Sequence, residues 1–261
     1  MANMEFLYNN HLNTSTMIYV STGTSTAANL FDKDKNEQYS SSGDNSDLTT
    51  TTIRIDFSGY KDVNRIILQN MNFKGFKMYY NSNSANLFSV TSALTGTSEW
   101  TTNSLTNMYL QLESTISVTS LFIEATTTAI ADSEKRIGQL WINNQYFSLE
   151  RNPTAKNYKV SIDTKEFAHK MSDGGYALYR IAEKFTADIK LDYVSQTEHD
   201  SFYNLYTAWT DFVFVPFPTS TAWDGKIYSV NWIKSFEFEQ FKNNYKDNGY
   251  TGKIRLRETP K

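Results

Sequence analysis

Short runs in which apolar and polar residues alternate recur along the whole chain, separated by clusters of Ser, Thr and Asn. Ile53–Phe57, Phe76–Tyr80, Leu121–Glu124, Phe185–Leu191, Tyr228–Trp232 and Lys253–Arg257 all have this form. A period of two puts every second side chain on one face, which is the signature of a half-buried strand rather than a helix. The chain is therefore expected to be mainly β, turning at polar clusters such as Ser40–Ser46.

At 261 residues the chain can hold one large β domain or two of ordinary size. Phe and Tyr, 17 of each, supply much of the apolar area such cores need. A formal charge of −3 argues against a nucleic-acid footprint or an anionic membrane surface as partner. With no cysteine, disulfide scaffolds, thiol catalysis and cysteine metal sites are excluded. No basic start followed by an apolar segment appears, and no apolar run is long enough to span a bilayer, so neither an ordinary export signal nor membrane insertion is expected.

The two halves use different vocabularies. Up to about residue 146 the chain is rich in Ser, Thr and Asn and lacks proline, which first appears at Pro153. This pattern predicts an N-terminal arm over 1–15, an antiparallel β-sandwich or jelly roll over 16–146, and a second β-rich domain over 147–261. The second half carries one clear helix signal near 195–209. Ser195-Gln-Thr-Glu198 reads as a capping box, and Phe202, Leu205, Tyr206 and Trp209 follow at i, i+3, i+4, i+7. Strand 185–193 before the helix, the apolar run Phe212–Pro218 after it and a hairpin turn at Trp223-Asp-Gly225 make an α+β barrel or sandwich.

In the first half, Asn29-Leu-Phe-Asp-Lys-Asp34 followed by Tyr39 and Ser40 resembles the opening of discoidin (coagulation-factor type C) domains. Ile53-Arg-Ile-Asp-Phe57, Val63–Leu68 and Phe73–Tyr80 continue the likeness in the family's order. Lys33 stands where the family has Gly, and Tyr39 where it usually has Trp. The resemblance implies a jelly-roll sandwich, with Asp32, Asp34 and Glu37 as oxygen ligands for a cation such as Ca²⁺. Acidic turn residues are more often solvated, so the cation is not a requirement. The resemblance also implies a glycan surface, for which Tyr39 and Trp100 are the aromatic candidates.

In the second half, Lys170–Gly175, Lys184–Leu191 with its capped helix, Phe212–Pro218 and Gly252–Glu258 look like the small β domains of tailed-phage and prophage virion proteins. That resemblance implies a structural component of a tail tip, baseplate, distal tail or tail adaptor. It would assemble on itself as a homo-oligomeric ring beside other tail proteins, with the sandwich as decoration or as contact to host surface glycan. The implied location is the virion, with synthesis in a bacterial cytoplasm.

No set of residues converges on catalysis. His11, His169 and His199 lie in unrelated contexts, and His199, between Glu198 and Asp200, reads as an exposed polar residue. Asp188 and Asp192 share the outward face of one strand, which is ordinarily solvent. Met171–Gly175 lacks the strand-before, helix-after setting of a phosphate loop and reads as a hairpin tip. Trp209 and Trp232 read as core, and Trp223, beside a turn, as the exposed aromatic of the second half. The expectation is a non-enzymatic tail component, and the alternative is a stand-alone carbohydrate-binding protein.

Overall fold

In a computed structural model, the residues described are 3–259 except 33, 35–36, 44, 83–91, 94–97, 145, 173–174, 209, 219–225 and 243–247. The protein is mainly β and divides into two compact units. The chain begins in one unit with β1 (Glu5–Leu7) and passes into the other at residue 9. There it forms β2 (Ile18–Val20), β3 (Tyr39–Ser40), β4 (Thr51–Gln69), β5 (Phe73–Asn81), β6 (Ser92–Ala93), β7 (Glu99–Trp100), β8 (Met108–Thr128), β9 (Arg136–Ile137) and β10 (Gln139–Asn143). It returns to the first unit through β11 (Tyr146–Ser148), β12 (Tyr158–Lys170), β13 (Tyr176–Val194) and helix α1 (Gln196–Thr207). That unit then ends with β14 (Phe212–Val215), β15 (Tyr228–Trp232), β16 (Glu237–Lys242) and β17 (Asn248–Glu258).

The inserted unit is a seven-stranded antiparallel sheet in the order β10-β4-β8-β5-β6, with β2 also on β4 and β7 also on β5. Two long strands organise it, β4 with 19 residues and β8 with 21. Their register breaks between Asp56 and Lys61 and again between Val63 and Arg65, and such irregularities bend and twist a strand. Ile53, Ile55 and Phe57 before the break and Val63, Ile66 and Leu68 after it consequently enter one core with Leu121, Ile123, Leu140 and Ile142. Burial of this set is the main stabilising term of the unit.

The returning unit holds an eight-stranded sheet, β11-β1-β14-β15-β17-β13-β12, with β16 also on β17. All four residues of β14 are buried, as the apolar run Phe212–Val215 predicts. The helix is capped as its sequence indicates: the Ser195 hydroxyl accepts from the Glu198 N–H, and the Glu198 carboxylate accepts from the Ser195 N–H. Its buried face, Phe202 and Leu205, packs into a core with Phe6, Phe212, Phe214, Val230 and Leu256.

The expected 1–15 arm is not a separate element. Glu5–Leu7 pairs antiparallel with β14, with Phe6 fully buried. Residues 9–15 belong to the inserted unit, where Leu12 is buried and the His11 N–H donates to the Ile142 carbonyl at 2.8 Å. A three-residue strand carries too little period to be read locally; its place comes from the apolar strand it pairs with.

Candidate functional site

The residues singled out from sequence do not form one site. Tyr39 lies on β3, is 0% exposed and donates its hydroxyl to the Thr22 carbonyl at 2.8 Å. It is a core residue of the inserted unit and cannot stack against a sugar. Trp100 is half-buried, its ring stacked on Phe76 at 4.5 Å and 11°. One face of the indole is thus committed to the core edge. Trp223 and Trp209 fall outside the described residues.

The acidic loop is tied up internally. Asp32 Oδ1 accepts from the Asp34 N–H and from Gln139 Nε2, both at 2.7 Å. Among the described residues no group of three His, Asp or Glu side chains is placed to hold a metal. A Ca²⁺ site takes six to eight oxygens, and residues 33, 35 and 36 of this loop lie outside the described residues.

In the returning unit the acids are spent on neighbours. Asp188 Oδ1 meets Arg255 Nε at 3.2 Å, and Asp192 Oδ1 meets Lys190 Nζ at 3.3 Å, on the polar face of the sheet. A groove of about 410 Å³ runs over this face, lined in part by Lys156, Lys159, Lys234 and Lys253. His199 is not simply exposed: its ring stacks on Tyr250 at 4.1 Å, and its Nδ1 lies 3.1 Å from Asp200 Oδ1. The Asp200 carboxyl is held below the usual range by its hydrogen bonds with His199 and then Gln196. Trp232 packs edge-to-face against Phe202 at 6.2 Å, as a core-side aromatic.

One further constellation lies on the face of the inserted sheet opposite Ile53 and Ile55, where Tyr19 is exposed and Phe122 is buried. Alternation turns Ile53 and Ile55 inward, so Arg54 and Asp56 point out. Antiparallel register then sets Tyr19 on β2 beside Arg54, Arg54 beside Phe122 on β8, and Phe122 beside Tyr79 on β5. The Arg54 guanidinium lies 4.6 Å from the centre of the Tyr19 ring and is ion-paired with Asp56. Arg54 and Asp56 are largely shielded, at 15% and 12% side-chain exposure, while Tyr19 remains 53% exposed.

The outcome is an exposed tyrosine whose ring is clamped on one face by a cation. A cation over a tyrosine contributes roughly 0.5–1 kcal/mol at such a site. The clamp also lowers the entropy that a ligand would otherwise have to remove on stacking. Sequence reasoning missed Tyr19 because β2 is three residues long; the available signal was the alternating Ile18-Tyr-Val20. Its neighbour Arg54 lies 35 positions away and is brought there only by strand pairing.

No protein-family model and no curated protein matches the chain. Among solved structures, chitosan-binding module 1 of a chitosanase/glucanase from Paenibacillus sp. IK-5 is similar at 13% identity, over 52% of this chain and 100% of the module, with a TM-score of 0.44. The module CpGH89CBM32-6 produced by Clostridium perfringens is similar at 15% identity, over 52% of this chain and 100% of its own, with a TM-score of 0.42. The family 32 carbohydrate-binding module of C. perfringens NanJ, in complex with galactose, is similar at 13% identity over 55% and 99%, with a TM-score of 0.39. These structural neighbours are carbohydrate-binding modules.

Proposed function

We propose that this protein is a non-catalytic glycan-binding protein, with the inserted β unit as its binding part. The observation that carries the reading is Tyr19, an exposed ring held flat by Arg54 and, behind it, Asp56. Sugars present a flat C–H face that an aromatic ring covers, ringed by hydroxyls that a charged neighbour can bond. The test is a glycan array on the whole chain, followed by titration of the best glycan against the native protein and Tyr19→Ala. Stacking of this kind predicts a loss of about tenfold or more for the variant, on the order of 1.4 kcal/mol. An array with no hits, or a Tyr19→Ala variant that binds as well as the native chain, would refute it. Titrations run with Ca²⁺ and with EDTA are expected to agree, since stacking on Tyr19 beside Arg54 needs no cation.

A second reading, a virion structural part of a phage or prophage tail, is favoured by a different observation. Strand β13 pairs with β17 only from Thr186 onward, whereas its Tyr176–Phe185 stretch pairs with β12 alone among the described residues. Two-stranded ribbons are marginal by themselves in water, so a ribbon of this length suits a part that packs against a neighbour. In this reading the glycan contact serves host attachment. Immunogold labelling of intact particles separates it from a stand-alone binder.

A further inference from the structure

The core of the returning unit stops one strand short of its sheet. Phe185 and Ala187 on β13 are buried, at 6% and 0% exposure. Their cross-strand partners on β12, Ile162 and Val160, lie on the same face yet are 64% and 51% exposed. Among the described strands β12 is the outermost of the sheet, so its far side carries a row of outward backbone groups. The Asn157 carbonyl accepts from the Lys190 N–H at 2.8 Å, toward β13. Alternation from that point turns the N–H and C=O groups of Tyr158, Val160, Ile162 and Thr164 to the open edge.

From this edge we infer that β12 pairs antiparallel with β12 of a second copy of this chain, across a two-fold axis at Ser161. Alternation of the ladder requires a symmetric pair to place one residue opposite itself. With Ser161 on the axis, Val160 faces Ile162 of the second copy and Ile162 faces its Val160, so the two exposed apolar ledges meet. Lys159 faces Asp163 on both sides of the axis, which gives two cross-strand ion pairs. The contacts Asp163 already makes, with Thr186 Oγ1 at 3.1 Å and Arg257 Nε at 3.7 Å, both use Oδ2. Moving the axis by one residue either way separates Lys159 from Asp163 and parts Val160 from Ile162. The outward groups of Tyr158 to Thr164 then form about eight hydrogen bonds between the copies. Charged side chains at an edge usually discourage such pairing; here their order is self-complementary and selects one register.

The axis makes a sharp test, because the chain has no cysteine of its own. Across a non-hydrogen-bonded pair the two Ser161 Cα atoms would lie about 4.5 Å apart, within reach of a disulfide. Ser161→Cys is therefore expected to form a covalent dimer under mild oxidation, whereas Thr164→Cys, with copies roughly 20 Å apart, is not. Sedimentation of the native chain at roughly 100 µM, above the micromolar Kd that modest interfaces reach, should give twice the 30.0 kDa of the chain. Ile162→Lys should weaken that association about tenfold or more. A larger assembly that still cross-links in pairs at Ser161→Cys also supports the pairing. A monomer, an assembly without the Ser161→Cys link, or equal cross-linking at both positions overturns it. The inference does not rest on the glycan reading: Tyr19→Ala should associate like the native chain.

Discussion

Replacing Glu198 by Gln should destabilise the returning unit by about 2–3 kcal/mol, more than a helix cap alone accounts for. The Glu198 side chain is 4% exposed. Its Oε2 accepts from the Ser195 N–H at 2.9 Å, closing the capping box, while its Oε1 accepts from the Glu150 N–H at 2.8 Å. A glutamine has one acceptor oxygen for these two N–H groups, and its NH₂ would face the other. One charge-assisted hydrogen bond, worth about 1.5–3 kcal/mol, is lost, and a buried donor is left without a partner. Ser195→Ala removes the cap and the exposed bond from Ser195 Oγ to Glu150 Oε1 at 2.8 Å, keeps the Glu150 N–H on Glu198, and should cost about 1 kcal/mol. The comparison discriminates between a carboxylate that only starts a helix and one that also tethers the chain preceding β12. Urea unfolding of the whole chain gives the two free energies, and hydrogen exchange over peptides covering 196–207 assigns them to the helix. If Glu198→Gln costs no more than Ser195→Ala, the tether to Glu150 contributes nothing and the reasoning fails.

Tyr39→Phe should lower stability by about 1 kcal/mol by leaving the Thr22 carbonyl unpaired, and Tyr39→Ala by about 3–5 kcal/mol through a cavity; a glycan affinity unchanged in Tyr39→Phe, measured beside denaturant curves, fits a core role. Gly252→Ala should cost about 1–3 kcal/mol, read as a lowered Tm, because an added Cβ would sit 2.3 Å from Phe238 Cδ1. Burial holds the His11 imidazole below its ordinary 6.5, against a weaker upward pull from its hydrogen bond to the Asp62 carbonyl. The unfolded chain then takes up this proton first, so the contribution is complete above pH 6.5 and is lost as pH falls from there through the folded value. Denaturant curves at pH 7.5 and 5.5 should diverge in the native chain and converge in His11→Gln.

How much of this was legible in advance depends on how local each signal is. The strands at 53–57, 185–191 and 228–232 and the buried run 212–215 follow from alternation or apolar runs within a few residues, and the structure has them. The capping box is likewise complete within Ser195–Glu198. Tyr39 looked like a surface aromatic because polar clusters flank it, yet it is buried at 0% exposure with its hydroxyl on Thr22. Val160 and Ile162 alternate with polar residues, and nothing in their neighbourhood says that the core fails to cover them.

The amino-acid sequence by itself therefore determined the β class, the helix start and which side of strands such as 53–57 and 185–191 is apolar, since these depend on backbone period and on contacts three or four residues apart. Tertiary structure decided the rest. It placed Glu5–Leu7 beside β14, set Tyr19 against Arg54, gave Glu198 a second partner in Glu150 and left β12 at the rim. Each of these is a pairing between residues far apart in the chain. The partner depends on the register of whole strands, and no local pattern encodes that register.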